Sequence, residues 1–337
     1  MKDCIRHMVN LSEHGVRKIM SVALERNKAV APKRLSFWKK VSNDFQRNKS
    51  LYLLALPVIA FYIIFHYGPM YGAVIAFKSF TPIKGIWGSE WVGFKHFIDF
   101  FNSYYFWRVL RNTLTISVTH LMFGFPAPIF LALLINELRN KYFSRTIQTI
   151  TYMPHFISLV VICGMIKDFT LDTGIVNYAL HFFGWHPITM LNEPKLFVPV
   201  YVISGIWQEI GWGSIIYLAA LMGIDQQLYE AAKIDGAGRF KQTWHITLPG
   251  ILPVIIVLFI LRIGQMLNVG FEKIILLYNP AIYETSDVIS SFVYRKGLLE
   301  FNWSFSAAVG LFNSVINFTL LISANWLSKR IQGSGLW

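Results

Sequence analysis

The chain has 337 residues, of which 54% are hydrophobic, 16% aromatic and only 15% charged, with a formal net charge of +13. So little charge, with the apolar residues gathered into long runs, excludes an ordinary soluble domain and points to a membrane protein. The excess charge does not point to nucleic acid, because residues 1–50 hold twelve lysines and arginines against four acids. That placement is a basic flank before the first apolar run, as the positive-inside rule requires of a cytoplasmic end.

Taken in order, the tail offers Lys33-Arg34 and Lys39-Lys40, basic pairs suited to anionic lipid headgroups. No secretory signal is expected, since the first apolar run opens only near Leu51 and no small-residue cleavage site follows it. Six runs, near 51–72, 112–135, 147–168, 198–222, 250–270 and 306–327, match the about 20 helical residues that cross a bilayer core. Pro57, Pro126 and Pro128 fall inside them, which neighbouring helices in a bundle can tolerate. With the N-terminus inside, the cytoplasmic pieces 1–50, 136–146, 223–249 and 328–337 hold 20 of the 31 Lys and Arg residues. The expected fold is an all-α membrane protein. A basic tail (1–50) precedes a six-helix membrane domain (51–327), and a short C-terminal tail (328–337) follows, with both termini cytoplasmic. The external loops are rich in aromatics such as Trp87, Trp91 and Trp185; these suit an interfacial belt, or a docking surface for an outside partner. Cys4 lies in the basic tail and Cys163 in an apolar run, so no disulfide is expected. The nine histidines show no ligand spacing, and no metal site is expected.

One stretch breaks the apolar rhythm. Asp225–Pro249 carries mixed charge between the fourth and fifth runs. Asp225 suits an N-cap for a helix over Gln226–Ile234, with its charge at the positive end of the dipole. Gly236 or Gly238 suits a left-handed stop, a second short helix can start near Arg239, and Pro249 marks entry into the next run. Leu228, Ala231, Ala232, Ile234 and Phe240 supply an apolar side. Periodicity alone equally fits an amphipathic helix resting on lipid. The spacing says more: Glu230-Ala231-Ala232, three residues, Gly236, nine residues, then Ile246-x-Leu248-Pro249. This resembles the EAA loop of permease subunits of binding-protein-dependent ABC importers. The segments at 111–117 (RNTLTIS), 152–158 (YMPHFIS), 235–253 and 270–289, with the final Gly335-Leu336-Trp337, resemble the carbohydrate branch linked to oligo- and polysaccharides. The long basic N-terminal extension is less typical of it.

The resemblance implies that the loop is a cytoplasmic coupling helix, with Glu230, Ala231, Ala232 and Gly236 contacting an ATP-binding subunit. It implies two such subunits carrying ATP and magnesium, a second and different permease chain, and an extracellular solute-binding protein that delivers a carbohydrate. This chain would bind no cofactor and catalyse nothing. No GxxxxGK[ST] phosphate loop occurs in it, in agreement.

Polar groups inside apolar runs are candidates for a substrate path. The fifth run carries Arg262, Gln265 and Asn268 at intervals of three, within one broad helical face. The fourth carries Trp207, Gln208, Glu209 and Trp212. Together they offer hydroxyl partners and flat aromatic surfaces for a sugar, and Arg262 also suits a uronic carboxylate. The plainer reading is helix-to-helix glue, with Glu209 paired to Arg262; His120, Asn317 and Lys167 read as structural or interfacial. An ion-coupled secondary transporter is the alternative, but Glu209 is the single acid deep in a run. A membrane enzyme would need a catalytic constellation, and none has recognisable spacing.

Overall fold

The computed structural model describes residues 44–332 and Gly335. The basic pairs of the tail, Cys4 and the closing Leu336-Trp337 lie outside the described residues. The chain divides into two units, Met1–Tyr71 and Gly72–Trp337.

In the first unit, Asp44 accepts hydrogen bonds from Tyr52 Oη (2.7 Å) and Asn48 Nδ2 (2.8 Å) at the entry to α1 (Lys49–Tyr62). A widened turn, Ile63–Tyr67, follows it. None of these residues is buried; Leu53 and Leu54 are 72% and 75% exposed. A helix this apolar and this bare suits a lipid environment, not water.

The second unit opens with a two-stranded antiparallel ribbon, β1 (Lys78–Ser79) and β2 (Glu90–Trp91), in register Lys78 to Trp91. Helices α2 (Phe106–Gly124) and α3 (Pro126–Asn136) run on as one apolar stretch across Pro126, which sits at the first position of α3, where no N–H is required. α4 (Lys141–Tyr152) starts on Asn140, whose side chain accepts from Tyr142 N and Phe143 N. After α5 (Leu159–Phe169) comes α6 (Pro194–Met222), 29 residues long. α7 (Gln226–Ile234) lies in the charged loop, and α8 (Leu248–Gly264), α9 (Phe271–Leu277) and α10 (Trp303–Gln332) complete the unit.

Helix α6 is the hub. It packs on α2, α3, α4 and α8, and α8 packs in turn on α10. One core joins α2, α5, α6 and the 267–289 segment through Ile116, Ile162, Phe197, Tyr201 and Ile274. Another joins α3, α6 and α8 through Ala132, Tyr217, Leu221 and Ile251, beneath the charged loop. At Gly211 the backbone of α6 touches that of α4: a Cβ there would run into the Thr151 carbonyl.

Among the described residues, four stretches are long and apolar enough to cross a membrane: Lys49–Phe77, Phe106–Asn136, Arg239–Gly264 and Trp303–Arg330. The expected third span is not straight. α4, with the turn Met153–Phe156, and α5 meet at 100°, so they make at most one bent crossing. Pro154 withholds an N–H within that turn, and Ile157 and Ser158 are extended. The expected fourth span exists as α6 but is not among the four. Gln208, Glu209 and two tryptophans sit at its middle and dilute its hydropathy. The fifth stops at Gly264 instead of reaching 270. Gly264 presses on Leu321 of α10, and Asn317 Oδ1 takes the Leu267 N–H (3.0 Å) that a longer helix would have used internally.

Candidate functional site

Two places stand out, a cavity in the body of the second unit whose mixed lining includes several charged side chains, and the exposed charged loop. The cavity holds about 630 Å3 between α2, α6, the end of α8 and the start of α9. A small recess of about 70 Å3 adjoins it and shares His120, Tyr201, Arg262, Asn268 and Gly270 with it.

The break at Gly264 shapes one wall. Arg262 is on the last turn of α8, whereas Gln265 and Asn268 follow it in the turn. They do not share a helix face as the spacing suggested, yet Arg262 and Asn268 line the cavity and Gln265 lines the recess. Asn268 Oδ1 accepts from both Asn313 Nδ2 and Asn317 Nδ2, each at 3.1 Å, which fixes the amide's orientation. Arg262 pairs not with Glu209 but with His120, Nη2 to Nδ1 at 2.8 Å. Glu209 takes His155 Nδ1 at 3.2 Å, because the bend between α4 and α5 brings His155 beside α6. His155 also stacks on Trp212, centroids 4.5 Å apart and nearly parallel. Trp207 is elsewhere, in a separate apolar cavity with Phe169, Trp185 and Ile203.

Sequence reasoning passed over two cavity residues. His120 was read as structural, and Lys273 lies beyond the fifth run. Lys273 is only 6% exposed, donates to the Tyr201 carbonyl at 3.3 Å and lies 5.0 Å from the Tyr201 ring centre. Burial lowers its ammonium to about 8. A lysine three residues after Gly270, next to Glu272 and leading an apolar run, was the available signal. The segment is held by a buried clamp. Asp287, fully buried, takes Arg295 through both oxygens (2.8 and 2.6 Å) and Arg108 at 3.3 Å.

In the loop, Asp225 caps α7 by accepting from Gln227 N at 2.9 Å, and Gly236 adopts φ +73°, the left-handed stop. The short helix Arg239–Gln242 is not a separate piece; it runs through a widened turn into α8. α7 has no buried residue, and Glu230, Ala231 and Gly236 are exposed while Ala232 is half-buried. Ile234 and Phe240 are 87% and 82% exposed. The loop is fastened at its base by Tyr229 Oη to Thr247 Oγ1 (3.0 Å) and by Arg239 to Glu137, beyond α3 (2.5 Å). A helix held this way presents its outer face whole.

Residues 124–333 match the model of the binding-protein-dependent transport system inner membrane component family. This chain belongs to that family. The matched stretch holds the whole loop and every cavity residue named above except His120. The permease is 46% identical to protein LplB of Bacillus subtilis (strain 168) over 87% of this chain and 92% of that protein. It is 45% identical to the polygalacturonan/rhamnogalacturonan transport system permease protein YteP of the same organism, over 86% and 91%. Among solved structures it is similar to a chain of the bacterial alginate ABC transporter in complex with alginate pentasaccharide-bound periplasmic protein. That match has a TM-score of 0.81 at 44% identity, over 89% of this permease and 99% of that chain.

Proposed function

We propose that this permease is the membrane subunit of an ABC importer that passes an oligo- or polysaccharide across the cell membrane. An extracellular binding protein delivers the saccharide, and ATP hydrolysis on two separate nucleotide-binding subunits drives the cycle. The observation that carries the reading is α7, anchored at its base by Tyr229 and Arg239 and bare on its outer face. Closure of the ATP-binding subunits would draw such a handle inward and open the cavity outward; hydrolysis would reset it. Glu230 offers a charge to a docking cleft, and Ala231 and Ala232 allow close backbone approach. The names of the relatives, which include polygalacturonan/rhamnogalacturonan and alginate transport, support a saccharide cargo.

On this reading Gln226–Ile234 faces the cytoplasm with both termini. α6 and the bent pair complete six crossings, and a second, different permease chain forms the other half of the path. Residues 1–50 form a basic cytoplasmic tail, and lipid surrounds the 51–327 body. The test is co-expression with candidate ATPase subunits, comparing wild type with Glu230→Lys plus Gly236→Asp. The double variant should lose ATPase association and saccharide uptake; retention of both refutes the coupling role.

A further inference from the structure

Short hydroxyl side chains within a helix commonly donate to the carbonyl one turn earlier. Thr113 and Thr119 of α2 do so, reaching Val109 O at 2.6 Å and Thr115 O at 2.7 Å. Ser204 of α6, with Ser314 and Thr319 of α10, does the same at 2.6–3.0 Å. Ser117, between the two threonines on α2, does not. It is 6% exposed, and its Oγ is buried with no partner in the protein. A buried hydroxyl left unsatisfied keeps its full desolvation penalty, so a partner is called for.

Ser117 lines the small recess of about 70 Å3 beside the break in α8. The other polar walls come from the end of α8 and the turn beyond it, through Arg262, Gln265 and Asn268. Arg262 commits Nη2 to His120 Nδ1; a guanidinium can only donate, so that nitrogen accepts and the imidazole carries its proton on Nε2. Nε2 in turn is near α6, 3.4 Å from where a Cβ on Gly205 would stand. Asn268 Oδ1 is taken by Asn313 and Asn317, which leaves its Nδ2 to donate.

Size and charge decide what suits such a place. About 10–15 Å3 of space admits one water, which needs two to four polar partners. The recess exceeds that space, and Ser117, Arg262, Gln265 and Asn268 supply the partners. A bound ion is not called for, because Arg262 and Lys273 on the adjoining cavity lining are matched by Glu209 and Glu272. Water satisfies Ser117 without adding charge.

We propose that the recess is a structural water site, in which ordered water pairs with the Ser117 hydroxyl on one side and with Arg262, Gln265 and Asn268 on the other. A water-mediated bond is nearly as good as a direct one. This one adds to the Arg262–His120 contact a second tie between α2 and the broken end of α8. The site is independent of the cargo and of the ATP-binding partners.

The test is a high-resolution electron cryo-microscopy map of the purified permease–ATPase complex without saccharide, prepared once in chloride buffer and once with gluconate in its place. Both maps should show ordered density within about 3 Å of Ser117 Oγ and of at least one of Arg262, Gln265 and Asn268. A recess without density, density that disappears with chloride, or a Ser117 hydroxyl turned onto the Thr113 carbonyl overturns the proposal. The second measurement needs only the full-length permease in detergent. With water in place, Ser117→Ala loses a satisfied hydrogen bond, and melting temperature should fall by about 1–5 °C. Removing an unpartnered hydroxyl would be neutral or stabilising, so an unchanged or raised melting temperature overturns Ser117 as the anchor of the site.

Discussion

Gly236 offers a test that separates a conformational need from a docking need. It adopts φ +73°, yet a Cβ built on it meets nothing within 4 Å. Within this chain, then, only the backbone favours glycine there. An alanine in the left-handed region costs about 1 kcal/mol, whereas asparagine tolerates that region far better. If α7 docks in the conformation seen here, Gly236→Ala lowers the competent fraction, and hence ATPase affinity, by at most about 5-fold. Gly236→Asn should stay close to wild type. The measurement is the affinity of ATPase subunits for the detergent-purified permease, with melting temperature as a folding control. If asparagine impairs binding as badly as alanine, or worse, the conformational account is refuted, and Gly236 is needed because the partner's atoms close on it.

Other outcomes follow from the packing. Asp287→Ala strands the charges of Arg295 and Arg108, and breaking a buried pair of this kind costs about 3–5 kcal/mol. A sharp fall in melting temperature and in recovered protein is expected; unchanged melting refutes the clamp. Gly211→Ala drives a methyl into the Thr151 carbonyl and should cost about 1–3 kcal/mol by forcing α4 away from α6, again read as melting temperature. Lys273 is depressed to about 8, so its charge is present below that pH and lost above it. Cys163, Glu209, His120 and Tyr201 face it and set its surroundings. Folding stability should therefore rise as pH goes from 8 toward 10, because the unfolded lysine keeps its proton longer, and melting temperature should show no such rise in Lys273→Met.

The charged loop was legible because its structure is local. Asp225 as N-cap, a helix over Gln226–Ile234 and a left-handed Gly236 all concern residues within about three turns of one another, and all three are found. The apolar runs were legible for a related reason, since composition over twenty residues is enough to mark them. What failed was continuity. The stop at Gly264 depends on which helix presses from the side, and a run of apolar letters does not carry that; the bend at Ile157-Ser158 follows Pro154, which a reading of hydropathy passes over. Trp207 and Glu209 are two residues apart on α6, yet they face different cavities because opposite sides of the helix meet different neighbours.

The amino-acid sequence by itself determined that the chain is a membrane protein and where its exposed loop falls; the spacing of Glu230, Gly236 and Pro249 carries the resemblance to the importer permeases, and the partner proposed for the loop rests on that resemblance. These are properties of composition and of short-range geometry, and they survive without knowing any contact. Only the tertiary structure decided the cavity. Lys273 and Gly205 are far apart in the chain, and His120 is 142 residues from the arginine that fixes its tautomer. Whether a side chain donates or accepts there depends on the atom placed behind it, and packing alone sets that atom.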